Sequence, residues 1–192
     1  MSPAPARTSR SAIVAAARSL LEEGGLEAIT MQAVADRVGV KAPSLYKRFP
    51  GRQALVVAVA QDVAAELGAV VAPAIDLADP VEAVRLVAVR YRAFARRSPG
   101  AYQLLFSRLL PAANPTAEAN AADAAGLLRI AERLAGPDDA LAAARLLTAF
   151  VHGFASMELA GAFRLGGDVD AAYDYGIESI VAGIRLTRLG IV

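Results

Sequence analysis

The sequence predicts an all-α chain of about nine helices, with a three-helix head at the N-terminal end and a larger helical body behind it. Three observations carry that expectation. Apolar residues recur at helical spacing against an alanine-rich background, and no segment sustains the strict alternation of a strand bounded by turns. Glycine and proline also punctuate the chain at helix-length intervals, as Gly24-Gly25, Gly39, Pro50-Gly51, Pro73, Pro99, Pro111–Pro115 and Gly136-Pro137. The expected layout is an arm over 1–8, a head over 9–52 and a body over 53–192.

The arm, MSPAPART, is rich in Pro and Ala and is expected to be disordered. A first helix is expected over about 9–23, with Ile13, Ala17, Leu20 and Leu21 on one face and Gly24-Gly25 as its stop. Thr30 is placed to cap the second helix, whose inner face is Met31, Val34, Ala35 and Val38. Gly39 breaks that helix, a short third covers about 41–49, and Pro50-Gly51 ends it. The body helices are expected near 52–71, stopping at Pro73, then 80–98, 100–110, 116–135, 138–163 and 170–189, with a loop at Pro111–Pro115. No fixed-period repeat and no low-complexity linker interrupts this order.

Charge is distributed unevenly. Net charge is only +1, yet residues 1–52 hold eight basic side chains (Arg7, Arg10, Arg18, Arg37, Lys41, Lys47, Arg48, Arg52) against four acids. A head at +4 on a body at −3 points the head toward a polyanion. The only two lysines, Lys41 and Lys47, both lie in the stretch VGVKAPSLYKRFPGRQAL. A GC-rich genome would explain arginine over lysine but not where the charge sits.

Placed on a helix, residues 41–49 sort into two faces. Leu45 and Phe49 point inward with Ala42 a turn back, while Lys41, Ser44, Lys47 and Arg48 share the outward face. Pro43 falls in the first turn, where its missing N–H costs nothing. Tyr46 sits on the flank, and the small residues Ala35 and Gly39 allow a tight turn between two short helices. This is the arrangement of a helix-turn-helix, in which the second helix enters the major groove and flanking donors hold phosphates. A solvated, charged helix on an ordinary small bundle would show the same periodicity.

The residue string itself goes further. AARSLLEEGGLEAITMQAVADRVGVKAPSLYKRFPGRQAL, within Ser11–Leu55, resembles the N-terminal domain of TetR-type transcriptional regulators. The matching positions are Gly25, Thr30, Ala33 and Ala35, Gly39-Val40, Tyr46 and Phe49, Arg52 and Leu55. Arg48 stands where the family often has His and Arg52 where it usually has Lys, so positive charge is kept or added. The resemblance implies that Thr30, Gln32, Tyr46, Arg48 and Arg52 hold phosphates of double-stranded DNA. It places Lys41, Ala42, Pro43, Ser44 and Lys47 in or beside the major groove, with Lys47 able to reach guanine O6/N7 and Ala42 or Pro43 a thymine methyl.

Such a head reads a palindromic operator as a dimer. Two stripes of small residues suit a homodimer interface: Ala149, Gly153, Ser156 and Ala160, and then Ala172, Gly176, Ser179 and Gly183 at the same spacing. Ile177, Ile180 and Ile184 flank the second stripe and could seal the contact; equally, both stripes could pack helices within one subunit. The segments FVHGFASMELAGAF and SPGAYQLLFS resemble the C-terminal domain of a TetR subgroup named for a Trp and a His-Gly pair, although Phe150 and Val151 stand in the region of the Trp.

Regulators of this kind hold a small-molecule effector between body helices. Tyr91, Phe94, Tyr102, Leu105, Phe106, Phe150, Phe154 and Met157 could line that chamber, with His152 or a Tyr hydroxyl as the polar contact, or they could be ordinary core. A lone His on an apolar helix is more often a core residue than a metal ligand, and no metal or cofactor is expected.

Other classes find little support. Hydrophobic residues make up 56% and mean hydropathy is +0.42, but the run 54–75 is broken by Gln61, Asp62 and Glu66 and the run 146–157 is short, so no membrane span is expected. The N-terminus lacks the apolar core of a signal peptide, and the absence of cysteine removes disulfides and thiolate sites. A soluble, cytoplasmic oligomer fits best. None of the nucleotide-binding, hydrolase or metalloprotease motifs occurs, so an enzyme is not expected. The remaining alternatives are a ligand-binding adaptor of the same fold that has lost DNA binding and, with less support, an all-helical enzyme. The expectation is a DNA-binding regulator, by default a repressor, released by its effector.

Overall fold

The structure is a computed structural model that describes residues 9–107 and 116–191; the arm over 1–8 and the Pro111–Pro115 loop lie outside the described residues. All regular structure among the described residues is helical: α1 (Arg10–Gly24), α2 (Met31–Val38), α3 (Pro43–Tyr46), α4 (Arg52–Ile75), α5 (Pro80–Arg97), α6 (Pro99–Leu105), α7 (Thr116–Ala135), α8 (Ala140–Leu159) and α9 (Val169–Arg188). A 3-10 turn, Leu26–Ala28, joins α1 to α2. The chain divides into two compact units. One comprises residues up to 66 with α6; the other comprises 67–97 and the chain from 119 onward.

In the first unit, caps fix the helix starts. The Ser9 hydroxyl accepts from Ala12 N at 3.1 Å and the Thr30 hydroxyl from Ala33 N at 3.0 Å, each satisfying a free N–H of a first turn. Ile13, Ala17, Ile29, Val34, Ala35, Leu45, Leu55 and Val59 are all fully buried, so the apolar stripes of these helices meet in one core. Complete burial of each large aliphatic side chain contributes about 1.5–3 kcal/mol. Gly39 has φ +74°, the left-handed conformation that ends α2 and returns its N–H to Ala35 and Asp36 carbonyls. Only Pro43–Tyr46 of the expected 41–49 is regular α-helix. Bonds from Ser44 N to Lys41 O and from Phe49 N to Leu45 O carry helical turns to both sides.

The second unit packs α5 against α8 and α9, and α8 against α9. Its core includes Val84, Ala88, Ile130, Ala131, Leu134, Val151, Tyr173, Ile177 and Val181. α4 does not stop at Pro73 but runs on to Ile75. The proline falls in the final turn, where its missing N–H leaves Ala69 O without a helical donor; Arg90 Nη1 donates to the neighbouring carbonyl, Val70 O, at 3.0 Å. α8 is shorter than expected, ending at Leu159, with Gly161 at φ +63° in the turn that closes it.

α4 and α8 are long and apolar enough to cross a membrane by length and composition alone. Half of the apolar stretch of α4 is buried inside the protein, which is the behaviour of a core helix. Its acids are also ion-paired: Arg18 of α1 contacts both Asp62 and Glu66. The corresponding stretch of α8 is only 22% buried, so most of that apolar helix is left uncovered by the chain itself.

Candidate functional site

The basic residues of the head fall into two groups. Arg10 lies over the Phe49 ring at 4.4 Å, and Arg18 is paired with α4 acids. Arg37 grips Glu23 with two bonds of 2.7 and 2.5 Å, which hold the Glu23 carboxyl below its usual range and the guanidinium above. Arg52 donates to the carbonyls of Ile29 and Leu26, both at 2.7 Å, with Glu27 at 3.7 Å. These four hold the head together. Lys41, Lys47 and Arg48 are exposed, and their side chains make no ion pair or hydrogen bond among the described residues. Three unneutralised cations thus stand on and beside α3, and Tyr46 extends from it with 53% of its surface exposed.

Of the ten residues expected at DNA, nine are exposed or half-buried around the start of α2 and along the α3 segment. Thr30 caps α2, and Gln32 Nε2 donates to Asp36 Oδ1 at 2.8 Å, one turn on. Ala42, Pro43 and Ser44 form the first turn of α3, with Leu45 fully buried behind them. Arg52, the tenth, is placed differently: its guanidinium fastens the 3-10 turn before α2, so it orients the Thr30 cap as well as carrying charge.

In the second unit, a cavity of about 60 Å³ lies between α5, α7 and α8, walled by residues that include Val84, Tyr91, Leu127, Ile130, Leu147, Thr148 and Val151. Among the expected chamber residues only Tyr91 lines it. Tyr91 Oη lies 3.4 Å from His152 Nδ1, and burial pushes the His152 pKa below the usual imidazole range, which keeps the ring neutral. Phe94 is fully buried, with Arg97 over its ring at 5.6 Å. Phe150 and Phe154 belong to an aromatic cluster instead: both pack on Tyr173, at 5.7 and 5.0 Å between centroids, and Phe154 on Phe163 at 4.6 Å. Met157 is half exposed on α8. Tyr102, Leu105 and Phe106 lie in the other unit, where Tyr102 and Phe106 pack at 5.2 Å.

Sequence reasoning seeks aromatic side chains here and so misses the aliphatic wall. Val84, Val87 and Ala88 recur at the spacing of any core face, and the space between helices leaves no mark in a sequence. It also misses Tyr173, which is buried and donates its hydroxyl to Ala88 O at 2.8 Å, and Arg92, which is 7% exposed. Arg92 holds Glu158 with bonds of 2.8 and 2.7 Å, contacts Asp170 at 2.8 Å and lies over Tyr173 at 4.6 Å, joining α5, α8 and α9.

The two small-residue stripes are exposed to differing degrees. Ala149, Ala160, Ala172, Ser179 and Gly183 are exposed; Gly153, Ser156, Gly176 and Ile180 are half-buried. Ile177 and Ile184 are buried in the chain's own core, so they do not flank an open face. A Cβ at Gly176 would collide with the Phe150 ring, which places that glycine in α8–α9 packing within the subunit. Leu141, Leu146, Met157, Tyr175 and Leu186 stand exposed on the same two helices.

Comparison with known proteins agrees with both halves of this description. Residues 13–59 match the family described as bacterial regulatory proteins, tetR family, and residues 84–180 match the tetracyclin repressor-like C-terminal domain. An uncharacterized HTH-type transcriptional regulator of Mycobacterium tuberculosis is 29% identical over 188 residues, covering 94% of this chain and 84% of that protein. Among solved structures, a protein of unknown function from Rhodococcus superposes with TM-score 0.82 at 24% identity, covering 95% of this chain and 98% of that one. A TetR variant from Acinetobacter baumannii, solved with minocycline, gives 0.69 at 24% identity, covering 94% and 98%. These two likenesses show the fold; the matched families span both the free-cation head and the helical body, and the chain belongs to the TetR family of bacterial transcriptional regulators.

Proposed function

We propose that the chain is an operator-binding repressor that acts in the cytoplasm as a homodimer and is released from DNA by a small molecule taken up in its helical body. One observation carries the DNA half: Lys41, Lys47 and Arg48 are unpaired in a head whose other described arginines are all engaged. Cations left free on a short, rigid helix need break no existing bond to meet phosphates and base edges. Lys41, Ala42, Pro43, Ser44 and Lys47 then face the major groove, while Thr30, Gln32, Tyr46 and Arg48 hold phosphates. Arg52 supports the contact from behind, through the turn that carries Thr30.

The dimer half is supported by α8, mostly uncovered although apolar, and by Ala149, Gly153, Ser156 and Ala160 on its open side. Ala172, Ser179, Ile180 and Gly183 offer the matching side of α9, with Gly176 at its inner edge. An antiparallel copy would bury exposed leucines that a monomer leaves in water. The effector half is supported by the cavity beside Tyr91 and by the solved TetR relative that holds minocycline.

The test is selection of DNA from a genomic fragment pool at near-physiological salt. A palindrome should be enriched, and a Tyr46→Ala/Lys47→Ala double variant with unchanged helicity should lose it. If the three free cations of each subunit all neutralise phosphates, the log–log salt slope is about −5 for the dimer, at about −0.9 per neutralised phosphate. Sequence-blind binding with no fragment enriched would overturn the proposal.

A further inference from the structure

The end of the helical body where α5 begins and α7 and α9 finish is concave and basic. A depression of about 630 Å³, open to solvent, is lined there by Arg85, Arg133, Arg185 and Arg188, and Asp79 is its one lining carboxylate among the described residues. That carboxylate is already engaged, since its Oδ1 accepts from Val81 N at 2.8 Å and caps the start of α5. Arg85 is matched by Glu82 and Glu178. The other three guanidinia have no carboxylate partner among the described residues.

Two of the three are held in place without being neutralised. Arg133 donates to Leu77 O at 2.6 Å and Ile75 O at 3.1 Å, and Arg188 Nη1 donates to Arg133 O at 2.7 Å and Leu134 O at 3.2 Å. Carbonyls at the ends of α4 and α7 are satisfied in this way, and a neutral acceptor fixes a guanidinium while leaving its charge and its remaining N–H groups available. Closing helix ends accounts for Arg133 and Arg188. It does not account for Arg185, whose exposed side chain makes no ion pair or hydrogen bond among the described residues yet lines the same depression. Arg129 and Arg145 are equally exposed on this unit, but neither lines it, so position rather than freedom sets Arg185 apart. Arg185 and Arg188 each follow a buried residue, Val181 and Ile184, by four positions. They therefore continue the inward row of α9 and leave the stripe of Ala172, Ser179 and Gly183 to the partner.

From this convergence we infer that the depression binds a compact phosphorylated small molecule, its phosphate oxygens shared among Arg133, Arg185 and Arg188. A carboxylate has two oxygens and is satisfied by a single fork, whereas a phosphate offers three or more acceptors to forks that arrive from different helices. Positive charges gathered without countercharge also repel one another, and a multiply charged anion relieves that repulsion. Pro80, Val81, Leu134 and Leu189 supply an apolar rim for the rest of the molecule, in a volume that suits a metabolite-sized ligand. The site shares no lining residue with the cavity beside Tyr91, so it rests neither on that cavity nor on the effector proposed for it.

Calorimetric titration of the full chain with sodium pyrophosphate, in metal-free buffer and against sodium chloride of equal ionic strength, tests this. One pyrophosphate per subunit should bind, and Arg185→Gln should weaken it about tenfold, as loss of one charge-assisted pair does. Arg145→Gln removes an equally exposed arginine of the same unit and should leave the affinity unchanged. Leu189→Glu, which places a carboxylate on the rim, should abolish binding and serves the same purpose should Arg185→Gln misfold. Heats no larger than those of the chloride blank would overturn the inference. So would equal weakening by Arg185→Gln and Arg145→Gln, since attraction would then follow net charge alone. The phosphates of a nucleic acid present the same oxygens, so the salt dependence of DNA binding is measured with the Arg185→Gln variant as well. An unchanged slope upholds a small-molecule site; a slope shallower by about 2 for the variant dimer would assign the cluster to DNA and overturn the inference.

Discussion

Glu22 closes over the first turn of α6: its Oε2 accepts from Gly100 N and its Oε1 from Ala101 N, both at 2.9 Å. The carboxylate at the C-terminal end of α1 thereby satisfies two N–H groups that the seven-residue helix leaves free. Gly100 makes the approach possible, because a Cβ there would lie 2.8 Å from Leu21 O and 3.2 Å from the same carboxylate. α6, though distant in sequence, is part of the compact unit that carries the recognition segment.

Two substitutions should separate the cap from the close approach. Glu22→Gln retains one acceptor and should cost about 1 kcal/mol, as loss of a capping group does. Gly100→Ala forces a methyl group against backbone and should cost about 2 kcal/mol or more. Urea unfolding of the two variants checks the order; a Gly100→Ala protein as stable as the native chain would mean that α6 is free to shift away from α1.

How much of this is legible in the sequence depends on whether the signal is local. Thr30, Gly39, Leu45 and the outward basic face can be placed from sequence because caps, left-handed glycines and helical periodicity act over a few residues. Arg52 can be recognised as basic but not as a clamp on Ile29 and Leu26, since those bonds span more than twenty residues. Pro73 reads as the end of α4 because proline removes one bond, but the helix runs on to Ile75, and the side chain that holds that last turn at Val70 O, Arg90, comes from the next helix. The candidate chamber fares similarly: Phe150 and Phe154 carry the helical spacing of a lining and instead fill the contact with Tyr173. Helical spacing gives a residue's face, and tertiary packing decides what that face meets.

Gly183 and Gly176 lie two turns apart on α9 and should respond in opposite ways. A Cβ at Gly183 meets nothing within 4 Å, so Gly183→Glu leaves the subunit intact and places charge on the outer face. The variant should keep native helicity and run as a monomer on sizing at micromolar concentration. Gly176→Ala pushes into the Phe150 ring and should lower stability by about 1–3 kcal/mol through overpacking, whatever the oligomeric state. A folded Gly183→Glu protein that stays dimeric would sink the α9 interface.

Arg92 of α5 pairs with acids on both α8 and α9, Glu158 and Asp170. Bonds to Glu158 are the main reason that its pKa is held above the ordinary guanidinium value. Removing it in Arg92→Met leaves Glu158, whose side chain is 17% exposed, without its bidentate partner. Stranding a largely buried carboxylate costs about 3 kcal/mol. Arg92→Met/Glu158→Leu, which removes both charges, should recover much of the loss. A double variant no better than Arg92→Met would assign the cost to lost packing over Tyr173 and Phe154 instead.

His152 predicts the sign of a pH dependence. Burial lowers its folded pKa, so between that value and the unfolded value of about 6.5 the unfolded chain binds more protons. Stability from this residue is therefore complete above about pH 7 and falls as pH drops through about 6.5, by at most about 1.4 kcal/mol per pH unit. It levels off once pH is below the folded value. Glu23 and Glu178 have pKa values lowered by Arg37 and Arg85, so they lose stability too as pH falls, but at lower pH. Comparison with His152→Gln cancels their share, since both proteins carry those pairs. The native-minus-variant difference in urea midpoint, measured from pH 8 to pH 5, should decline through the imidazole range. A flat difference would mean that the ring beside Tyr91 is as well solvated folded as unfolded.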